Sequence, residues 1–262
     1  MTFRLVREEG FEYIEEGTAT DRPVLLLLHG LFGALSNWAD VLQTFSRDYT
    51  VLIPLLPIYK SAVVEANLEA LTEYVHTFVE HKRLDQFVVI GNSLGGHLAL
   101  LYALKHPERV HSLVLTGSSG LFEAGMGLGF VKRGDYTFIR ERVEFTFYKP
   151  STATKELVDE VFDIVNNRTA AMRILNIARN AQRMNLHDQL RTIRHRTCLV
   201  WGLNDNITPP YVAHEFRRLM PNSELHFIDE CGHAAMMERP DRFNVVLSEF
   251  LARQLLLQKS VA

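Results

Sequence analysis

The sequence predicts an α/β domain built on a mostly parallel, doubly wound sheet that a helical insertion interrupts. Three observations carry that prediction. Continuous apolar runs recur as short strands, amphipathic helical stretches alternate with them, and the alternation stops between residues 119 and 193 before resuming. Runs that are apolar at every position belong to strands buried on both faces, which is where a parallel sheet covered by helices puts them.

Each element follows in order. Residues 2–16 read as two short strands broken at Gly10, and Gly17 to Pro23 is rich in turn formers. Val24–Leu28 and Val51–Ile53 are the first fully apolar runs, the second stopped by Pro54 and Pro57. Between Val63 and His81, the residues Leu68, Leu71, Val75, Phe78 and Val79 fall at helical spacing. Phe87–Ile90 is a strand, Leu94–Lys105 a helix that His106-Pro107 stops, and Val110–Leu115 another strand. Glycines 120, 125, 127, 129 and 134 then crowd a segment without β-runs. Ser151–Asn166, with Thr154 as its N-cap, and Thr169–Arg183 read as helices there. The strand pattern returns at Thr197–Trp201 and Glu224–Ile228, separated by a helix over Pro210–Leu219 and followed by one over Asp241–Leu257. The expected organisation is a core domain of residues 1–118 and 194–262 and a helical insertion of residues 119–193.

Bulk properties narrow the function. A chain of 262 residues suffices for one domain with an insertion. Apolar residues at 47% and charged residues at 23% are those of a globular enzyme. A formal charge of −3 gives no electrostatic footing for nucleic acid or an anionic membrane. The charged start, Met1 to Glu9, has no signal-peptide core, and Val24–Leu28 is far too short for a membrane span. A cytoplasmic protein with a small-molecule substrate is expected. Cys198 and Cys231 are expected as buried, unpaired thiols.

The chemistry centres on Gly91-Asn92-Ser93-Leu94-Gly95, between a strand and a helix. A serine with glycines two residues away on each side fits a tight elbow that raises Oγ above the sheet. Gly91 and Gly95 remove the Cβ atoms that would clash, and Gly96 lets the helix approach closely. A serine hydroxyl also needs a base within reach and a third group to hold that base in one tautomer. On such a sheet the chain order is serine, acid, histidine. Asp205, after the strand ending at Trp201, and His233, after the strand ending at Ile228, supply that order from loops at carboxyl ends of strands. An oxyanion needs two preorganised N–H donors, each worth roughly 3 kcal/mol in the transition state. Leu94, after the nucleophile, is one candidate. Leu31, in His29-Gly30-Leu31-Phe32-Gly33, is the other, with Phe32 the neighbouring alternative. His29 reads as a turn-stabilising residue, and His97 as packing. Met236 and Met237 are candidates for the pocket lining or the core.

With these motifs and Gly232-His233 followed by Glu238-Arg239-Pro240, the chain resembles the α/β-hydrolase superfamily over nearly its whole length. The resemblance implies an α/β-hydrolase fold with Ser93 as nucleophile, His233 as general base and acid, and Asp205 as the orienting carboxylate. It also implies that residues 119–193 are a helical cap setting substrate choice, and that no metal or organic cofactor takes part. The sequence departs from many relatives at Pro54-Leu-Leu-Pro-Ile-Tyr-Lys-Ser61, which holds no glycine, so a stiffer pocket wall is expected there. A serine nucleophile leaves acyl transfer to water, and a carboxylesterase for small or medium acyl groups is the leading reading. The runner-up is a carbon–carbon bond hydrolase of meta-cleavage products (vinylogous diketones), in which Arg168 or Arg173 would hold a substrate carboxylate. Ala234, where such enzymes often place an aromatic residue, counts against it. A small-molecule receptor on the same fold is the third. Phe32, Arg168 and Met236 are the expected substrate contacts.

Overall fold

The computed structural model describes residues 4–17, 22–33, 35–59, 64–123, 132 and 134–261. Val63 and glycines 125, 127 and 129 therefore lie outside the described residues. The sheet has eight strands: β1 (Leu5–Glu8), β2 (Phe11–Glu16), β3 (Val24–Leu28), β4 (Val51–Pro54), β5 (Phe87–Asn92), β6 (Val110–Thr116), β7 (Thr197–Gly202) and β8 (Ser223–Ile228). Their spatial order is β1-β2-β4-β3-β5-β6-β7-β8, and β2 alone runs opposite to the others. β3, β5, β6 and β7 are buried almost throughout, as their unbroken apolar runs require. The β1–β2 turn uses Glu9 and Gly10, both at positive φ, the geometry that suits a tight hairpin.

Helices cover both faces. α2 (Leu68–His81), α3 (Leu94–Lys105) and α8 (Pro210–Leu219) pack on one side; α1 (Ala39–Phe45) and α10 (Pro240–Val261) pack on the other. Two separate apolar clusters result, one per face. α2 starts at Leu68 rather than Val63 because Asn67 caps it, its Oδ1 accepting from Ala70 N at 2.8 Å. Thr154 caps α5 (Lys155–Asn166) as expected, accepting from Leu157 N. Four α-helices among the described residues are additional to the sequence reading: α1, α4 (Tyr136–Glu144) and the four-residue α7 (His187–Leu190) and α9 (Ala235–Glu238). With α6 (Arg168–Arg183) and α7 (His187–Leu190), α4 and α5 make the segment between β6 and β7 helical. Asn180 of α6 fastens that segment to the core by accepting from Leu68 N at 2.8 Å. Among the described residues no helix is long and apolar enough to cross a membrane. Cys198 and Cys231 are buried and unpaired.

The chain runs from β3 outward to β4 and then returns to the other side of β3 at β5. The carboxyl ends of β3 and β5 therefore flank a topological switch point, where an open α/β sheet forms a crevice. The loop 29–33 and Ser93 stand at those two ends.

Two histidines near this crevice are wholly buried. His29 faces the Gly30 carbonyl through Nδ1 and accepts from Leu56 N through Nε2 at 3.0 Å, and His97 lies against the Met184 backbone. Burial lowers each pKa to about 4, against 6.5 for the free side chain. Between those values the unfolded chain binds protons that the native state refuses, so stability is full above pH 6.5 and falls as pH drops toward 4. The pair is expected to steepen the loss by roughly 2 to 3 kcal/mol per pH unit at most in mid-window. Urea unfolding at pH 7, 6 and 5 checks this, and a stability unchanged over that range would contradict it.

Candidate active site

Ser93 sits at φ 54° and ψ −120°, a conformation an L-residue rarely adopts. The turn closes because glycines surround it. A Cβ on Gly91 would lie 2.4 Å from Gly95 O, one on Gly95 2.0 Å from Leu28 O, and one on Gly96 2.3 Å from Ser118 Oγ. Ser93 N donates to Thr116 O at 3.1 Å, and Ser93 O accepts from Gly96 N, His97 N and Ser119 N. The side chain of Asn92 extends this support, donating to Thr116 O at 3.0 Å and to His233 O at 3.1 Å. Asn92 thereby fastens the elbow to the loop that carries the histidine.

Asp205 is buried in an Asx-type turn. Its Oδ1 accepts from Ile207 N and Thr208 N at 2.8 and 2.9 Å, and its Oδ2 accepts from Thr208 Oγ1 at 2.8 Å. The same Oδ2 faces His233 Nδ1 at 2.9 Å, so this carboxylate both shapes its turn and orients the ring. Gly117, at φ 50°, lets β6 approach the imidazole, since a Cβ there would fall 2.8 Å from Nδ1. The His233 backbone is held by two further elements. His233 N donates to Thr146 O, beyond α4, at 3.0 Å. Glu238 accepts from Gly232 N at 2.9 Å, from Tyr148 N at 2.7 Å and from Ala234 N at 3.4 Å.

The electrostatics of the pair follow from burial and charge. Burial alone depresses the His233 pKa, but the charge and hydrogen bond of Asp205, with help from Glu123 and Glu238, more than offset it and leave it above 6.5. Glu123 has its own carboxyl pushed up by burial, against a hydrogen bond from Ser119 and the pull of His233. The sequence reading missed Glu123 because it follows a glycine-rich turn with no periodic pattern.

Ser93 and His233 open onto one cavity with the loop 30–33, Arg142, Val143, Phe147, Leu157, Val161 and Met237. His233 Nε2 is buried there without a hydrogen-bond partner. The cavity offers about 80 Å³ to the centre of a water molecule. Leu31 and Phe32 line it, and Gly30 brings that loop so close that a Cβ would sit 3.2 Å from Ser93 Cβ. Leu94 opens α3, where the first N–H groups have no acceptor within the helix. Two expected substrate contacts lie elsewhere. Arg168 is exposed at the first turn of α6, away from the cavity lining. Met236 points into the core beneath α9, and Met237, about 100° round the helix, takes the cavity position. Arg173 is spent on the Pro57 and Ile58 carbonyls.

Residues 23–154 match the family model described as alpha/beta hydrolase fold. The chain is similar to the crystal structure of an α/β-hydrolase enzyme from the sediment metagenome of the Mar Chica lagoon, Morocco. That match has 38% identity and a TM-score of 0.78, and covers 96% of this chain and 99% of the other. It is also similar to monoacylglycerol lipase ABHD6 of Bos taurus, at 24% identity over 96% of this chain and 82% of the relative. A third relative is 2-hydroxy-6-oxononadienedioate/2-hydroxy-6-oxononatrienedioate hydrolase of Pseudomonas sp, at 26% identity over 88% of each chain. The chain belongs to the α/β-hydrolase family and is a hydrolase enzyme.

Proposed function

We propose that the protein hydrolyses small carboxylic esters through an acyl-enzyme on Ser93, with His233 as general base and acid and Asp205 as its orienting carboxylate. One observation carries the reading. A histidine held by a buried carboxylate at 2.9 Å turns an unpartnered Nε2 into the cavity that a strained serine shares.

In this reading Ser93 Oγ attacks the ester carbonyl carbon while Nε2 accepts its proton. The resulting oxyanion meets the N–H groups of Leu31 and Leu94, and the α3 N-terminus adds its positive potential. Collapse breaks the ester C–O bond, and His233 returns the proton to the departing alcohol. Water, deprotonated by the same ring, then releases the acid and restores Ser93. The Asp205 charge stabilises the imidazolium at each stage. The walls Val143, Phe147, Leu157 and Val161 suit an apolar acyl chain, and the segment that carries them, α4, the bend after it and α5, acts as a cap. About 80 Å³ on this measure is a small cavity, which favours an acyl group of a few carbons. The lipase named among the relatives also acts on an ester.

Arg142 favours a second reading, the carbon–carbon hydrolase. It lines the cavity, stacks on Phe138 at 5.2 Å and pairs with no carboxylate among the described residues. A guanidinium so placed suits a substrate carboxylate, such as that of the relative's dienedioate.

A p-nitrophenyl ester series from acetate to decanoate, with Ser93→Ala as blank, is expected to give its highest kcat/KM at short acyl length. Ser93→Ala should lose at least roughly 10³-fold. With His233 active as the neutral ring, kcat/KM should rise with pH through a midpoint above 6.5, and Asp205→Asn should move that midpoint down. A profile flat between pH 5 and 8 would contradict His233 as the base. If the second reading holds, Arg142→Gln raises KM for a dienoate ring-fission product about tenfold and leaves p-nitrophenyl acetate within twofold. Equal effects on both substrates, or no dienoate turnover, would sink it.

A further inference from the structure

The loop 29–33 is held by side chains that take no part in the chemistry just described. Gly30 O accepts from Gly33 N at 3.1 Å and faces His29 Nδ1 at 2.9 Å, which pins the peptide bearing Leu31 N–H. Leu31 O accepts from the Tyr59 hydroxyl at 2.5 Å, which pins the next peptide, bearing Phe32 N–H. A planar trans peptide points C=O and N–H in opposite directions, so fixing each oxygen fixes the aim of the N–H joined to it. The peptide before Leu31 is thus held by the loop's own His29 and Gly33 and the one after it from outside by Tyr59, and with both planes fixed the Leu31 N–H cannot swing.

Tyr59 itself stands on a braced segment. Pro54 and Pro57 restrict φ within it, and Leu56 N donates to His29 Nε2 at 3.0 Å. Arg173, buried on α6, donates from Nε to Ile58 O and from Nη2 to Pro57 O, both at 3.0 Å. One chain of hydrogen bonds thus runs from a helix of the insertion, through residues 57–59, to the loop beside Ser93. The glycine-free stretch after β4, which the acyl-transfer reading leaves without a role, is the middle of that chain.

We propose that Tyr59 is a positioning residue that preorganises the oxyanion loop, and that Arg173 couples this loop to the inserted helices through it. The proposal rests on the acyl-transfer reading. Donors matter most when aimed at charge that develops only in the transition state, so loosening them lowers kcat and spares KM. Burial, with the Glu160 charge adding to it, pushes the Tyr59 phenol well above its ordinary pKa, so it stays a donor throughout the assay range.

Tyr59→Phe removes one oxygen and keeps the ring. It is expected to lower kcat on p-nitrophenyl acetate about 10- to 50-fold, with KM within twofold and affinity for a trifluoromethyl ketone inhibitor falling in step with kcat/KM. Tyr74→Phe is the comparator, because Tyr74 makes a similar phenol-to-carbonyl bond to Leu55 O at 3.3 Å, in the same segment but off the loop. It should keep kcat within twofold even where Tm falls. If Tyr59→Phe does not fold, Arg173→Lys replaces it, with an expected kcat loss of about fivefold at unchanged KM. Wild-type kcat in the folded variant, or an equal loss in Tyr74→Phe, would overturn the proposal alone. Absence of ester turnover by the wild-type protein would overturn the acyl-transfer reading and the proposal with it.

Discussion

The backbone at Ser93 is the constraint on which the rest of the site depends. A non-glycine residue at φ 54° and ψ −120° costs of order 1–3 kcal/mol and persists only where its surroundings over-determine it. Here they do. Ser93 N is committed to β6, Ser93 O to three N–H groups, and the flanking glycines leave no slack between β3, β5 and α3. Shifting any of these elements by a few tenths of an ångström would relieve the strain and lower the hydroxyl. The sheet core, fully apolar on both faces of β3 and β5, resists that shift.

The carboxyl ends of β5, β7 and β8 then converge on the same place by hydrogen bonds rather than by contact alone. Asn92 ties the elbow to the His233 carbonyl, Thr208 and the turn N–H groups fix Asp205, and Glu238 clamps both sides of His233. The segment between β6 and β7 contributes directly, because Thr146 O and Tyr148 N belong to this clamp. Movement of that segment would therefore change the histidine loop as well as the cavity wall.

What was legible in the sequence follows the strength of the local signal. β3 to β7 were readable because strands buried on both faces announce themselves as apolar runs, and β8, a half-buried edge strand, through Leu225, Phe227 and Ile228 set among its polar residues. The residues that meet at Ser93 were readable because each follows such a strand. α1 was not, since it is seven residues long and Trp38 at its start offers no side-chain cap. Cavity residues were least legible, because they depend on which face of an inserted helix turns inward. Arg168 sits on a readable helix but off the cavity lining, whereas Arg142, equally exposed, sits on α4, which has weak periodicity and reaches the cavity. Met236 and Met237 differ by one helical step, which the sequence alone does not resolve.

The proposed function turns on Ser93 being an activated nucleophile rather than an inert hydroxyl in a binding site. Treating the folded protein with a fluorophosphonate and mapping the adduct by peptide mass spectrometry tests this most directly. One adduct is expected, on the peptide carrying Ser93, and it forms far more slowly in His233→Ala. A folded wild-type protein that stays unlabelled, or one labelled equally fast without His233, would contradict it.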